Sequence, residues 1–135
     1  MEYEVKIPIF GFEQIEKVSF SKIDDIFAQI KTLPEAIASF TLVNPYALQD
    51  YQFDIPQATQ ILLDINSKTN LLVYNMVIIQ NPIEDSTVNF MAPLLFNTDN
   101  HTMAQLILDG TKYRNYGIAE PIKNFMGQKS DEDDA

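Results

Sequence analysis

TVNFMAPLLFN, at Thr87–Asn97, sets Val88, Phe90, Leu94, Leu95 and Phe96 close together in one stretch. Apolar density of that kind suits a central strand. Pro93 sits inside it and has no backbone N–H, so the strand must bulge or bend there. Leu71–Gln80 before it and Met103–Leu108 after it also read as strands. The linkers, Asn81–Ser86 and Thr98–Thr102, have hairpin length. Three consecutive strands in an antiparallel meander are predicted.

The same period continues toward the N-terminus. Tyr3-Glu4-Val5-Lys6-Ile7 alternates apolar and charged side chains, as a half-buried strand requires, and Glu16–Ile23 sets Val18 and Phe20 against Ser19 and Ser21. Asp24–Leu33 reads two ways. Asp24 or Asp25 would cap a helix with Ile26, Phe27, Ile30 and Leu33 on its apolar face, or a strand would place Ile26, Ala28 and Ile30 on one side. Periodicity alone leans to the helix. Ser39–Val43 is a strand stopped by Asn44-Pro45.

Asp50–Ile55 alternates again, with Tyr51, Phe53 and Ile55 on one face. Pro56 suits the first position of a short helix whose apolar side would be Ala58, Ile61, Leu62 and Ile65. Pro121–Met126 predicts a helical turn with Ile122, Phe125 and Met126 inward. The expected organisation is a single domain over residues 1–127, followed by an acidic, mobile tail at 128–135.

The chain has 135 residues, enough for one core, and its 46% hydrophobic and 21% charged content is that of a globular protein. No apolar run approaches the roughly 18–20 residues that cross a bilayer. Glu2 and Glu4 stand where a signal peptide carries basic residues, so a cytoplasmic protein is expected. Without cysteine there is no disulfide framework and no thiolate chemistry. Net charge is −10, of which Asp131, Glu132, Asp133 and Asp134 supply four, leaving −6 on residues 1–130. Such a surface repels nucleic-acid phosphates and suits a basic protein partner, although acidity also serves solubility alone.

Catalytic constellations are missing. His101, the single histidine, lies in a turn among Asx residues and reads as solvated. The pairs Asp24/Asp25 and Glu84/Asp85 are adjacent in sequence and belong to caps or loops, not to a general acid and base. No phosphate-binding glycine loop and no zinc or EF-hand spacing occurs, so no cofactor, no metal and no enzymatic activity are expected. What remains is a cluster of aromatic and acidic residues, Tyr46, Asp50, Tyr51 and Asp54. Tyrosine offers large contact area at low entropic cost, and a neighbouring carboxylate can meet Lys or Arg on a partner. Tyr51 could equally be core, since it shares a face with Phe53.

Five blocks in order resemble one family. TVNFMAPLLFN is similar to the Thr-Val-Asn, hydrophobic, Ala-Pro pattern of the flagellar assembly factor FliW family. SFTLVNPY at Ser39–Tyr46 resembles its strand ending in Asp/Asn-Pro-aromatic, and Asp50–Ile55 resembles its Asp-Tyr-x-Phe element. Gly11-Phe12-Glu13 matches the end of its Pro-Gly-Phe-Glu, with Phe10 in place of the proline. AQLIL at Ala104–Leu108 resembles its last strand.

The resemblance implies an all-β, small barrel-like antiparallel fold with one or two short helices, and a strand instead of a helix at Ile26–Leu33. It implies two partners, flagellin and the translational regulator CsrA; the acidic charge argues against direct nucleic acid and the lack of a long apolar run against a membrane. Free FliW sequesters CsrA, a small RNA-binding dimer that represses flagellin synthesis, and accumulating flagellin competes for FliW. Most family members have a longer lead before Gly-Phe-Glu, which here implies an altered barrel edge. Their Tyr-Pro-x-Arg-like ending is not reproduced at Tyr113–Tyr116. The competing readings are a small β-barrel adaptor or nucleic-acid-binding module unrelated to flagella, and an enzyme with an apolar pocket in the barrel.

Overall fold

Thr87–Asn97 folds as two short strands separated by a bend, not as one. The computed structural model describes residues 1–125. Its strands are β1 (Glu2–Ile7), β2 (Lys17–Lys22), β3 (Phe27–Leu33), β4 (Ser39–Val43), β5 (Leu71–Ile78), β6 (Thr87–Val88), β7 (Leu94–Asn97), β8 (Thr102–Gln105) and β9 (Glu120–Pro121). One α-helix, α1 (Gln57–Leu63), lies between β4 and β5, and Pro45–Ala47 and Ile83–Asp85 form single 3₁₀ turns. The expected tail at 128–135, and Met126 of the C-terminal helical turn, lie outside the described residues.

The strands run in the order β4-β3-β2-β1-β8-β7-β5, and β5 returns to β4, so seven strands close a barrel. The fold is all-β and barrel-like, as expected. All neighbours in the ring are antiparallel except β1 and β8, which run parallel. The N-terminal strand leaves no open edge in the ring. β1 pairs on both sides, with Val18 opposite Tyr3 and Met103 opposite Val5.

The helix that periodicity favours at Asp24–Leu33 is also overturned. β3 is a strand laddered to β2 over Lys17–Lys22 and to β4 over Ser39–Val43. Asp24 still caps, but it caps a turn: its Oδ1 accepts from the N–H groups of Ile26 and Phe27 at 2.8 and 2.7 Å. Ala28, Ile30 and Thr32 are buried at every second position, the strand period.

The barrel interior holds Tyr3, Val18, Ile30, Leu42, Tyr74, Leu94, Phe96 and Met103. Tyr3, Phe20 and Tyr74 each meet the Phe96 ring within 6.4 Å. Ile9, Phe12 and Ile15 join that core from the β1–β2 connection, where Gly11 has a φ of 88° and Phe12 packs edge-on against Phe40.

β7 is buried on both faces. Leu94 and Phe96 point into the barrel, and Leu95 points outward beneath α1, against Leu63, Ala104 and Leu106. Each fully buried Leu or Phe contributes about 1.5–3 kcal/mol over an exposed one. That double burial explains the apolar density of the opening motif. Its bend is Asn89–Pro93: β6 pairs with Val77 and Ile78 of β5, β7 pairs with Leu71–Tyr74, and Phe90 is buried in the bulge between them.

α1 turns a different face inward from the one expected. Thr59 and Leu63 are buried, whereas Ala58, Ile61 and Leu62 are exposed. A helix this short has little stability of its own. The docking contact is its end: the Leu63 carbonyl accepts from the side-chain amides of Asn97 and Asn100 at 2.7 and 2.9 Å. Pro56 sits one position earlier than expected, at the N-cap.

Candidate functional site

The ladder between β4 and β5 is short. It pairs Leu42 with Met76 and Val43 with Asn75, and then Asn44-Pro45 turns the chain into its first 3₁₀ turn. The Asn44 side chain accepts from the Tyr46 N–H at 3.0 Å and fixes that turn. The chain then returns as an extended segment, Asp50–Ile55, over the outer face of the barrel. Tyr51, Phe53 and Ile55 face inward as the alternation predicts, and Gln52 and Asp54 face solvent.

Tyr51 is a structural residue. It is 3% exposed and packs between Phe53, Phe90 and Tyr116, with ring centroids at 5.3, 5.6 and 4.8 Å. Its hydroxyl donates to the Phe90 carbonyl and accepts from Asn75 Nδ2 at 3.1 Å. Burial pushes that phenol's pKa well above the usual tyrosine range. Of the two readings of Tyr51, the core position is the observed one.

Tyr46 is 55% exposed, with its ring edge-on to Tyr51 at 6.2 Å. Asp50 and Asp54 are exposed, and Asp54 Oδ2 accepts from Lys112 Nζ at 2.7 Å. Tyr46, Tyr51 and Asp54 are therefore brought together along one groove of about 590 Å³, lined also by Leu71 and Val73 of β5 and by Lys112 and Tyr113. Asp50 lies apart from them, in an adjoining cleft of about 270 Å³ lined by Lys112–Tyr116.

The segment after β8 is the part of this site that sequence reasoning missed. Tyr113 and Tyr116 stack with centroids 5.9 Å apart and planes 8° from parallel. The Tyr116 hydroxyl accepts from the Gln52 N–H at 2.8 Å and donates to the Gln52 carbonyl at 3.0 Å. The Tyr113 hydroxyl accepts from the Asp54 N–H at 2.8 Å. Two phenols thus stand where a neighbouring strand would be and hold Asp50–Ile55 extended. The one available signal was the i,i+3 spacing of the two tyrosines beside a lysine, which says nothing about a partner sixty residues earlier.

The other residues considered for chemistry fall where loops put them. His101 sits at a φ of 57° in the β7–β8 turn, exposed, with its ring edge-on to Tyr3. Asp85 pairs with Lys123 on the surface. Among the described residues no group of three or more His, Asp or Glu side chains is placed to hold a metal ion, and no helix is long and apolar enough to cross a membrane.

A model of the FliW protein family matches residues 2–122, nearly the whole described chain. The chain belongs to the FliW family. Among FliW relatives, flagellar assembly factor FliW 2 of Wolinella succinogenes is 51% identical over 130 residues, covering 96% of both chains. Flagellar assembly factor FliW of Sulfurimonas denitrificans is 48% identical over 127 residues, 93% of this chain and 98% of its own. A crystal structure of the flagellar assembly factor FliW superposes with a TM-score of 0.81 at 21% identity, covering 90% of this chain and 84% of that one, and so shares the fold.

Proposed function

We propose that this protein is a non-enzymatic flagellar assembly factor that works in the cytoplasm by binding flagellin and CsrA. It sequesters CsrA, relieves CsrA repression of flagellin synthesis, and yields CsrA again when flagellin accumulates and competes for it. The observation that carries the reading is the FliW match along residues 2–122, together with relatives about half identical to the chain from end to end. The physical character of the surface supports it. A net charge of −10 favours encounter with a basic RNA-binding partner and disfavours nucleic acid itself. The groove bordered by Tyr46 and Asp54, with Asp50 beside it, is the candidate contact surface, and Tyr51 supports it from beneath.

Calorimetry with the purified chain tests the reading. Stable complexes with CsrA and with flagellin are expected, the CsrA complex weakening as salt rises, and flagellin is expected to displace CsrA. Absence of heat with both proteins at low salt would overturn it. A gel shift of RNA by the chain alone, at physiological salt, would favour the nucleic-acid-binding alternative.

A further inference from the structure

β5 is eight residues long, yet β4 covers only its Asn75–Met76 portion. The direction of the uncovered backbone follows from alternation. The Asn70 carbonyl accepts from Thr98 N–H at 3.0 Å and the Met76 carbonyl from Asn89 N–H at 3.1 Å, so even-numbered groups face β7 and β6. Odd-numbered groups face the β4 side, where Asn75 meets Val43. Continuing that register, Pro45 would stand opposite Val73, and proline has no N–H to give. The ladder stops there. Among the described residues, the N–H and C=O groups of Leu71 and Val73 have no hydrogen-bond partner on that side.

The open edge, about 10 Å of strand at roughly 3.3 Å per residue, is not bare to bulk solvent. It forms one wall of the groove of about 590 Å³, with the rings of Tyr46, Phe53 and Tyr113 around it. Donors and acceptors repeating every second residue beside apolar walls fit an extended polypeptide and little else. Charge selects among polypeptides. A second copy would bring another −10 to the same edge, whereas a neutral or basic segment is attracted.

We propose that the Leu71–Val73 edge of β5 takes an extended segment of a partner protein as an added strand. The segment pairs its backbone with Leu71 and Val73, sets apolar side chains at alternate positions into the groove, and carries Lys or Arg toward Asp50. This rests on the partner-binding reading above and adds to it the mode of recognition.

The test uses the full chain and flagellin from the same bacterium, with overlapping synthetic peptides tiled along flagellin to find the shortest binding segment. Val73→Pro deletes one open-edge N–H without removing a β5–β7 hydrogen bond. N-methylation of alternate amides in the binding peptide blocks the same pairing and leaves the protein untouched. Affinity is expected to fall at least tenfold with Val73→Pro and with one of the two N-methylation phases, the other phase having little effect. Binding of wild-type chain unaffected by either methylation phase would overturn the added strand while leaving flagellin binding intact. Loss of flagellin binding by the wild-type chain would remove the partner reading, and the edge proposal with it. A wild-type dimer in sedimentation, dissociated by Val73→Pro, would overturn it in favour of a second copy.

Discussion

Tyr51 and Asn75, one on the extended segment and one on β5, share a buried hydrogen bond of 3.1 Å from the Asn75 amide to the Tyr51 hydroxyl. Asn75 Nδ2 also donates to the Asn89 carbonyl at 2.9 Å, and Tyr51 donates to the Phe90 carbonyl. These two side chains tie the floor of the groove to the bend in Thr87–Asn97. The segment bearing the candidate contact residues and the motif that marks the family are thus one packed unit.

Tyr51→Phe should lower unfolding stability by about 1–3 kcal/mol, because the Phe90 carbonyl and the Asn75 amide lose a buried partner. Tyr51→Ala should cost about 3–5 kcal/mol by leaving a cavity among four aromatic rings. Urea titration of the three proteins checks both. A Tyr51→Ala protein as stable as wild type would place Tyr51 outside the core.

Asp54→Lys and Tyr46→Ala should each weaken partner binding severalfold while leaving the fold intact. Asp54 is exposed, and a solvated surface pair such as the one it makes with Lys112 contributes little to stability. Titration calorimetry against CsrA and flagellin, with circular dichroism as the folding control, reads the result. Wild-type affinity in both variants for both partners would move the interface elsewhere.

The tyrosine clamp predicts a local effect. Tyr116→Phe removes both hydrogen bonds to Gln52, and Tyr113→Phe the one to Asp54. Amide exchange at Gln52 and Asp54 should speed up about 2–10-fold, from roughly 0.5–1.5 kcal/mol per lost hydrogen bond, with β3 and β7 unchanged. Equal exchange rates in mutant and wild type would mean that the clamp holds nothing.

Helix α1 offers a sharp contrast between adjacent residues. Leu63→Ala should cost about 2–5 kcal/mol, since Leu63 is fully buried against Leu95, Ala104 and Leu106. Leu62→Lys, one position earlier and 48% exposed, should stay within about 0.5 kcal/mol of wild type. Thermal melts of the pair decide it.

Stability should fall at both ends of the pH range. Hydrogen bonds from Asn70 hold Asp99 below the usual carboxylate range, those from Thr111 do the same for Asp109, and those from the Phe27 and Ile26 amides for Asp24. Each favours the fold above its unfolded pKa of about 3.9 and loses that contribution as pH falls through the lower folded value. At the alkaline end, Tyr51 has a raised folded pKa, so its contribution is whole below about pH 10 and is lost as pH rises from there toward the folded value. Melting temperature should be flat from about pH 5 to 9. Tyr51→Phe should flatten the alkaline limb and leave the acid limb unchanged.

Local alternation was enough for most strands, because side-chain direction repeats every two residues whatever the strand pairs with. β1, β2, β4 and the inward set Tyr51, Phe53 and Ile55 follow from it, and so does the bend at Pro93. The order of short blocks marked the family. Long-range contact decided the rest. β3 is a strand because β2 and β4 ladder it on both sides, which no local period could reveal. α1 buries Leu63 and leaves Ile61 and Leu62 outside because side-chain amides of Asn97 and Asn100 grip its last carbonyl and set its rotation. Tyr51 is core because a loop from the far end of the chain closes over it. The open edge of β5 exists because the β4 ladder ends at Val43 and the chain turns away at Asn44-Pro45, where proline has no N–H to continue the pairing.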